Sequence, residues 1–134
     1  MKYLLNRFSI DTLFDRSKPK KTFLVLANLL KEEREERVGA KIRFNFRQLE
    51  PEFILIQGKG KIQSIEVEND LVKICVKGKI ITRTHVIVEE IEAEECELTL
   101  SLKKEGGDPP YVKPLIKDKD ISIYTRDGEI EIED

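Results

Sequence analysis

The stretch Lys41-Ile42-Arg43-Phe44-Asn45-Phe46-Arg47 alternates without a break, with large apolar side chains at the even positions and basic or amide side chains at the odd ones. A period of two predicts a strand with one face in a core and the other in water. The same pattern recurs toward the C-terminus. Glu50-Pro51-Glu52 turns the chain into Phe53 to Ile62, where Gly58 and Gly60 fall two apart on one face. A turn at Glu68-Asn69-Asp70 leads into Val72, Ile74 and Val76, opposed by Lys73, Cys75 and Lys77. Gly78 reads as the next turn and Ile80 to Val88 as a β-branched strand; Cys96, Leu98, Leu100 and Leu102 then alternate with Glu97, Thr99, Ser101 and Lys103. Strands joined by such short connections predict an antiparallel meander.

Upstream, Tyr3 to Ile10 reads as a first strand and Asp11 to Arg16 as a helical turn capped by Asp11, ended by Ser17-Lys18-Pro19. Lys20 to Arg37 is rich in Leu, Ala, Glu, Lys and Arg and predicts a helix, with Pro19 suited to its first turn and Gly39 to its end. Two features oppose that helix. Lysines stand at its start and Glu32 to Glu36 at its end, against the macrodipole, and the apolar run Phe23 to Leu30 also fits a buried strand. Beyond the loop Gly106-Gly107-Asp108-Pro109-Pro110, a turn at Arg126-Asp127-Gly128-Glu129 joins Ile121–Thr125 to Ile130–Ile132 as a terminal hairpin.

The expected architecture is α+β. A strongly curved, barrel-like antiparallel β-meander of five to six strands packs on one main N-terminal helix, with a C-terminal β-hairpin. Residues 1–134 form a single domain: strand and helical segment over 1–39, meander over 40–104, loop and hairpin over 105–134.

Composition narrows the function. The 134 residues carry 24 Lys and Arg against 26 Asp and Glu, a net charge of -2, so the chain lacks the overall positive field usual for a free-standing nucleic-acid binder or a basic membrane-surface protein. Lys and Glu make up about a quarter of the residues while Gln, Asn, Met and Cys are scarce, the bias reported for hyperthermophile proteins. Met1 to Arg7 has neither an apolar central run nor a small-residue cleavage site, and Phe23 to Leu30 falls far short of the roughly 20 residues that span a bilayer. These features predict a cytoplasmic protein, away from membranes.

Catalytic groupings are thin. His85, the one histidine, falls on the expected strand alternating with Arg83; as a base it would need a carboxylate partner from elsewhere in the chain, and a place on the solvent or rim face of the strand is the plainer reading. One histidine with Cys75 and Cys96 gives no metal-ligand spacing, and two isolated thiols in a cytoplasmic protein read as small apolar side chains. The acidic run Glu89 to Glu97 lacks the Asp/Asn/Gly pattern that wraps calcium and reads as a solvated acidic turn or edge. Gly58-Lys59-Gly60-Lys61 lacks the rest of a phosphate loop and reads as a bend or close backbone approach. No catalytic, metal or cofactor residues are assigned.

Charge segregation is the most informative feature. From Val38 to Val88 nine basic residues face five acidic ones, and the remainder of the chain toward the C-terminus is acidic. If the strands pair in sequence order, Arg43, Lys73, Lys77 and Arg83 share a sheet face that a nucleic-acid backbone would fit, although Phe44 and Phe46 point to the core and leave no stacking aromatics there. A solvated, salt-bridged surface is the plainer account. The leading functional reading is a non-catalytic binding module or accessory subunit whose partner is a protein or a second copy, docking on the hairpin residues Ile121, Ile123, Tyr124, Ile130 and Ile132. Nucleic-acid binding on the basic face, and carriage of a small apolar ligand between helix and sheet, are the alternatives.

Overall fold

The structure, a computed structural model, describes residues 2–4, 20–68, 71–101, 111–116 and 127–133. Their order is β1 (Lys2–Leu4), β2 (Lys20–Thr22), α1 (Phe23–Glu32), α2 (Arg34–Arg37), β3 (Lys41–Gln48), β4 (Ile54–Glu68), β5 (Leu71–Arg83), β6 (Val88–Ser101), β7 (Tyr111–Ile116) and β8 (Gly128–Ile132). The strands form one sheet in the order β2-β1-β8-β3-β4-β5-β6-β7, antiparallel except between β1 and β2. The remainder of the expected first strand to Ile10, the Asp11 turn, Pro19, the loop at 106–110 and Ile121, Ile123 and Tyr124 lie outside the described residues.

The strands from β3 onward obey the alternation. Ile42, Phe44 and Phe46 of β3 are buried, while Lys41, Arg43 and Arg47 are exposed. Phe44 and Phe46 stack with ring centroids 5.5 Å apart, and their core neighbours include Ile56, Ile62, Ile74, Ile80, Leu98, Ile130 and Ile132. Two bulges preserve this inner face. On β4 the register passes from Ile62 opposite Val76 to Ser64 opposite Cys75, leaving Gln63 extra; the shift returns Ile65 to the core. On β6, Glu94 and Glu95 together oppose Lys77, so the parity changes between Ala93 and Cys96.

Four expectations are corrected. The sheet is open, with β2 and β7 at its edges among the described residues, and is neither a five- to six-stranded meander nor a barrel. No main helix organises it. The chain from Phe23 is helical for only ten residues, about 15 Å, and is interrupted at Glu33, where acidic residues face the negative end of the helix dipole. The one-turn α2 resumes with Arg37 pairing to Glu33 at 2.8 Å, and α1 adds Leu26 and Leu30 to the core. Gly39, at φ +89, ends the helical segment as expected, and its N–H donates to Ile62 O at 2.7 Å.

The third correction concerns the C-terminus. Rather than half of a peripheral hairpin, β8 is inserted between β1 and β3, placing Ile130 opposite Phe44 and Ile132 opposite Ile42. Burying both isoleucines and satisfying both ladders outweighs what a detached two-stranded hairpin would gain. The fourth is Gly78, which is no turn: β5 runs through it without interruption.

The glycines instead allow a close crossing. Gly60 lies opposite Gly78, and a Cβ on Gly60 would run into the backbone carbonyl of Lys77, while one on Gly78 would run into that of Lys59. In a regular pleat Cβ points away from the sheet; here the two backbones are twisted so that it would point into the neighbouring strand. Gly58 lies under the Phe44 ring, which fills the space a side chain would need. We expect Gly78→Ala to destabilise the fold by about 2 kcal/mol or more, since backbone rather than a side-chain tip must yield. A denaturant-unfolding midpoint unchanged from the parent would refute the crossing.

Candidate functional site

The polar face of β3, β4 and β5 carries two rows of directly opposed like charges. Lys41, Lys61 and Lys77 form one row across the three strands, and Arg43, Lys59 and Lys79 form the next. All six are exposed. Like charges directly opposite each other in a sheet are destabilising, by roughly 0.2–1 kcal/mol per pair. Lys41 approaches Glu133 at 3.8 Å, but among the described residues Arg43, Lys59, Lys61, Lys77 and Lys79 form no ion pair. A salt-bridged surface does not describe this face.

Acidic positions bound the rows. On β8, Glu131 lies opposite Arg43 and Glu129 opposite Asn45; on β6, Glu92 lies opposite Lys79 and Glu90 opposite Ile81. Two concavities of about 530 and 640 Å³ open on this face and share Arg43, Lys59, Lys79 and Glu131, making a single trough along the strands. Asn45, Gln57 and Ile81 continue its floor. Arg47, Leu55 and Arg83 follow as the next row, where Arg47 pairs with Asp127 at 3.0 Å. Neither concavity lies between helix and sheet, where an apolar-ligand carrier would need its cavity.

Of the four basic residues singled out in the sequence, Arg43 lines the trough, Lys77 stands at its margin as the register partner of Lys61, and Arg83 lies beyond it along β5. Lys73 is set apart past the bulges, opposite Glu66. Lys41, Lys59, Lys61 and Lys79 were not singled out, because their grouping depends on the exact register of three strands. In the hairpin set, Ile130 and Ile132 are buried in the chain's own core, and β8 is paired along both sides.

At the far end of the trough, His85 lies on a turn rather than the expected strand. Thr84 N–H donates to Ile87 O, and the Val86 and Ile87 N–H groups donate to Thr84 Oγ1, closing the turn between β5 and β6. Exposed His85 packs on Phe53 with ring centroids 5.0 Å apart. Leu49, Val86, Ile87 and Val88 are also exposed at this end, Val86 at 89%. The acidic run 89–97 lies within β6, paired with β5 except at the Glu94–Glu95 bulge and joined by β7 only from Cys96 onward.

The two thiols differ in their surroundings. Cys96 is fully enclosed in the core, and burial, followed by the neighbouring charges of Cys75 and Glu97, pushes it up from 9.0 to about 12. Cys75 is opposite Glu97 and Cys96 opposite Val76, so the two cysteines occupy different faces of adjacent strands and both are free. No group of three or more metal-ligating side chains occurs among the described residues, and no helix there is long and apolar enough to cross a membrane. Compared with protein-family models, curated proteins and solved structures, the chain matches none.

Since the folded Cys96 pKa lies above the ordinary thiol value, its contribution to stability is intact below pH 9 and is lost as pH rises from there toward 12. A thiol titration of folded protein at pH 8 is expected to leave Cys96 unmodified and to register both thiols in denaturant. Modification of Cys96 in the folded state would show that its core is open.

Proposed function

We propose that this chain is a non-catalytic binding module whose ligand is a polyanion of the nucleic-acid backbone type, held in the trough of β3, β4 and β5. The observation that carries this reading is the pair of opposed like-charge rows, Lys41-Lys61-Lys77 and Arg43-Lys59-Lys79. Six cations side by side, five of them without an ion pair among the described residues, cost the free protein stability that a row of phosphates would return. The net charge of -2 does not oppose this, because at physiological salt a field is felt over about 8 Å and the ligand meets the local charge.

Phosphate contacts of this kind supply affinity without sequence preference, and counterion release makes them salt-dependent. With all six cations engaged, the logarithm of the association constant for a single strand should fall against the logarithm of salt with a slope of about -4. Lys61→Glu should abolish binding and at the same time stabilise the free fold by about 0.5 kcal/mol at low ionic strength, since it replaces two repulsions by two attractions. Anisotropy of a labelled oligonucleotide and thermal unfolding of the same variant read the two effects. Undiminished binding by both Lys61→Glu and Arg43→Glu would overturn the proposal.

A second reading, docking of a protein partner or a second copy, is favoured by exposed Leu49, Val86, Ile87 and Val88 at one end of the sheet. It predicts that Val86→Asp and Ile87→Asp leave stability unchanged while abolishing association in light scattering across a concentration series. A parent that stays monomeric with no captured partner would count against it.

A further inference from the structure

We infer that the trough is selective for single-stranded over double-stranded nucleic acid, and that the Phe53–His85 pair at its end is the platform on which a base stacks. The inference rests on the polyanion reading above and adds two independent geometric observations to it.

The first is the width of the basic floor. From β3 to β5 it spans two inter-strand steps, about 10 Å, and the next strand on each side is acidic at the corresponding register. Glu131 stands beside Arg43 on β8, and on β6 Glu90, opposite Ile81, lines the trough's other margin. One row of phosphates fits this floor. A duplex presents two rows separated by a groove about 6 Å wide at its narrowest, and the phosphates that wall the groove add to that span. Seating one row on the lysines therefore carries the other onto an acidic strand, where like-charge repulsion opposes it. The acidic strands thus act against the wrong ligand.

The second observation is the aromatic pair. The sheet face that carries the cations has no aromatic on its floor, because Phe44 and Phe46 are committed to the core. Phe53 and His85 lie two residues beyond the Leu55–Arg83 register pair on their respective strands, in contact with each other and with His85 exposed. Phe53 precedes Lys59 by six positions, about 20 Å of extended chain, a span of about three nucleotides. A strand whose phosphates occupy the lysine rows therefore reaches the rings with an unpaired base, and only a strand free of its complement has a base face to offer.

The experiment is competition anisotropy with four probes of equal length or charge: a single-stranded oligonucleotide, the same sequence as duplex, an abasic single strand, and inorganic polyphosphate. The wild type is expected to bind the single strand at least tenfold more tightly than the duplex. Stacking on an aromatic contributes roughly 5- to 160-fold per base, so the single strand should also exceed the abasic strand by a factor in that range. Phe53→Ala and His85→Ala are expected to remove the advantage of base over abasic strand while leaving polyphosphate binding unchanged. Because His85 is exposed on a turn, its variant separates loss of stacking from loss of folding. Equal affinity for duplex and single strand overturns the selectivity, and equal affinity for normal and abasic strands in the wild type overturns the platform. In both cases the polyanion reading stands. Failure of all four probes to bind removes that reading and this inference together.

Discussion

The crossing of β4 and β5 at Gly60 and Gly78 is the constraint on which the rest of the molecule depends. These are two of the longest strands, and their ladder occupies the middle of the sheet. At the crossing the backbones approach so closely that neither position has room for a Cβ. One step along, Gly58 gives up its side chain to the ring of Phe44, which anchors β3, and β3 in turn receives β8. The same backbone passes under the trough, whose lining includes all three glycines. A requirement of packing on one face thereby sets the shape of the other.

The two faces contribute unequally to stability. Apolar burial on the inner face is nearly complete, and the two bulges return Ile65 on β4 and shift the parity of β6 so that long strands keep that face apolar despite breaks in the sequence period. Such burial is worth about 25 cal/mol for each Å² removed from water, far more than single cross-strand charge pairs contribute. The fold therefore tolerates opposed lysines on its polar face. The net charge of -2 does not show this arrangement, because acidic β8 and β6 cancel in the sum what their placement concentrates in space: a positive floor between negative margins.

Much of the local structure followed from periodicity. Lys41 to Arg47 read as a half-buried strand, and the alternation of Val72 to Val76 and of Cys96 to Leu98 survives in the burial of the folded chain, because side-chain direction along a strand is a local property. Gly78 was misread for a physical reason: a glycine that ends a strand and a glycine that lets a neighbour approach have the same local sequence, and only the opposing Gly60 tells them apart. His85 likewise moved from strand to turn because Thr84 offers its side-chain oxygen to the two N–H groups that follow, a local competition with the ladder that β-branched composition conceals.

Which residues form strands, which face of each is apolar and where the cations concentrate along the chain all followed from residue order, since each depends on neighbours two or four positions away. The insertion of β8 beside β3, the open sheet in place of a barrel, the alignment of Lys41, Lys61 and Lys77 in one row and the meeting of Phe53 with His85 did not. They depend on contacts between residues distant in the chain, whose register is chosen by the sum of core packing and hydrogen bonding over the whole sheet. A shift of one residue would turn every lysine of a strand to the other face, so a charged surface of this kind exists only once the core has selected its register.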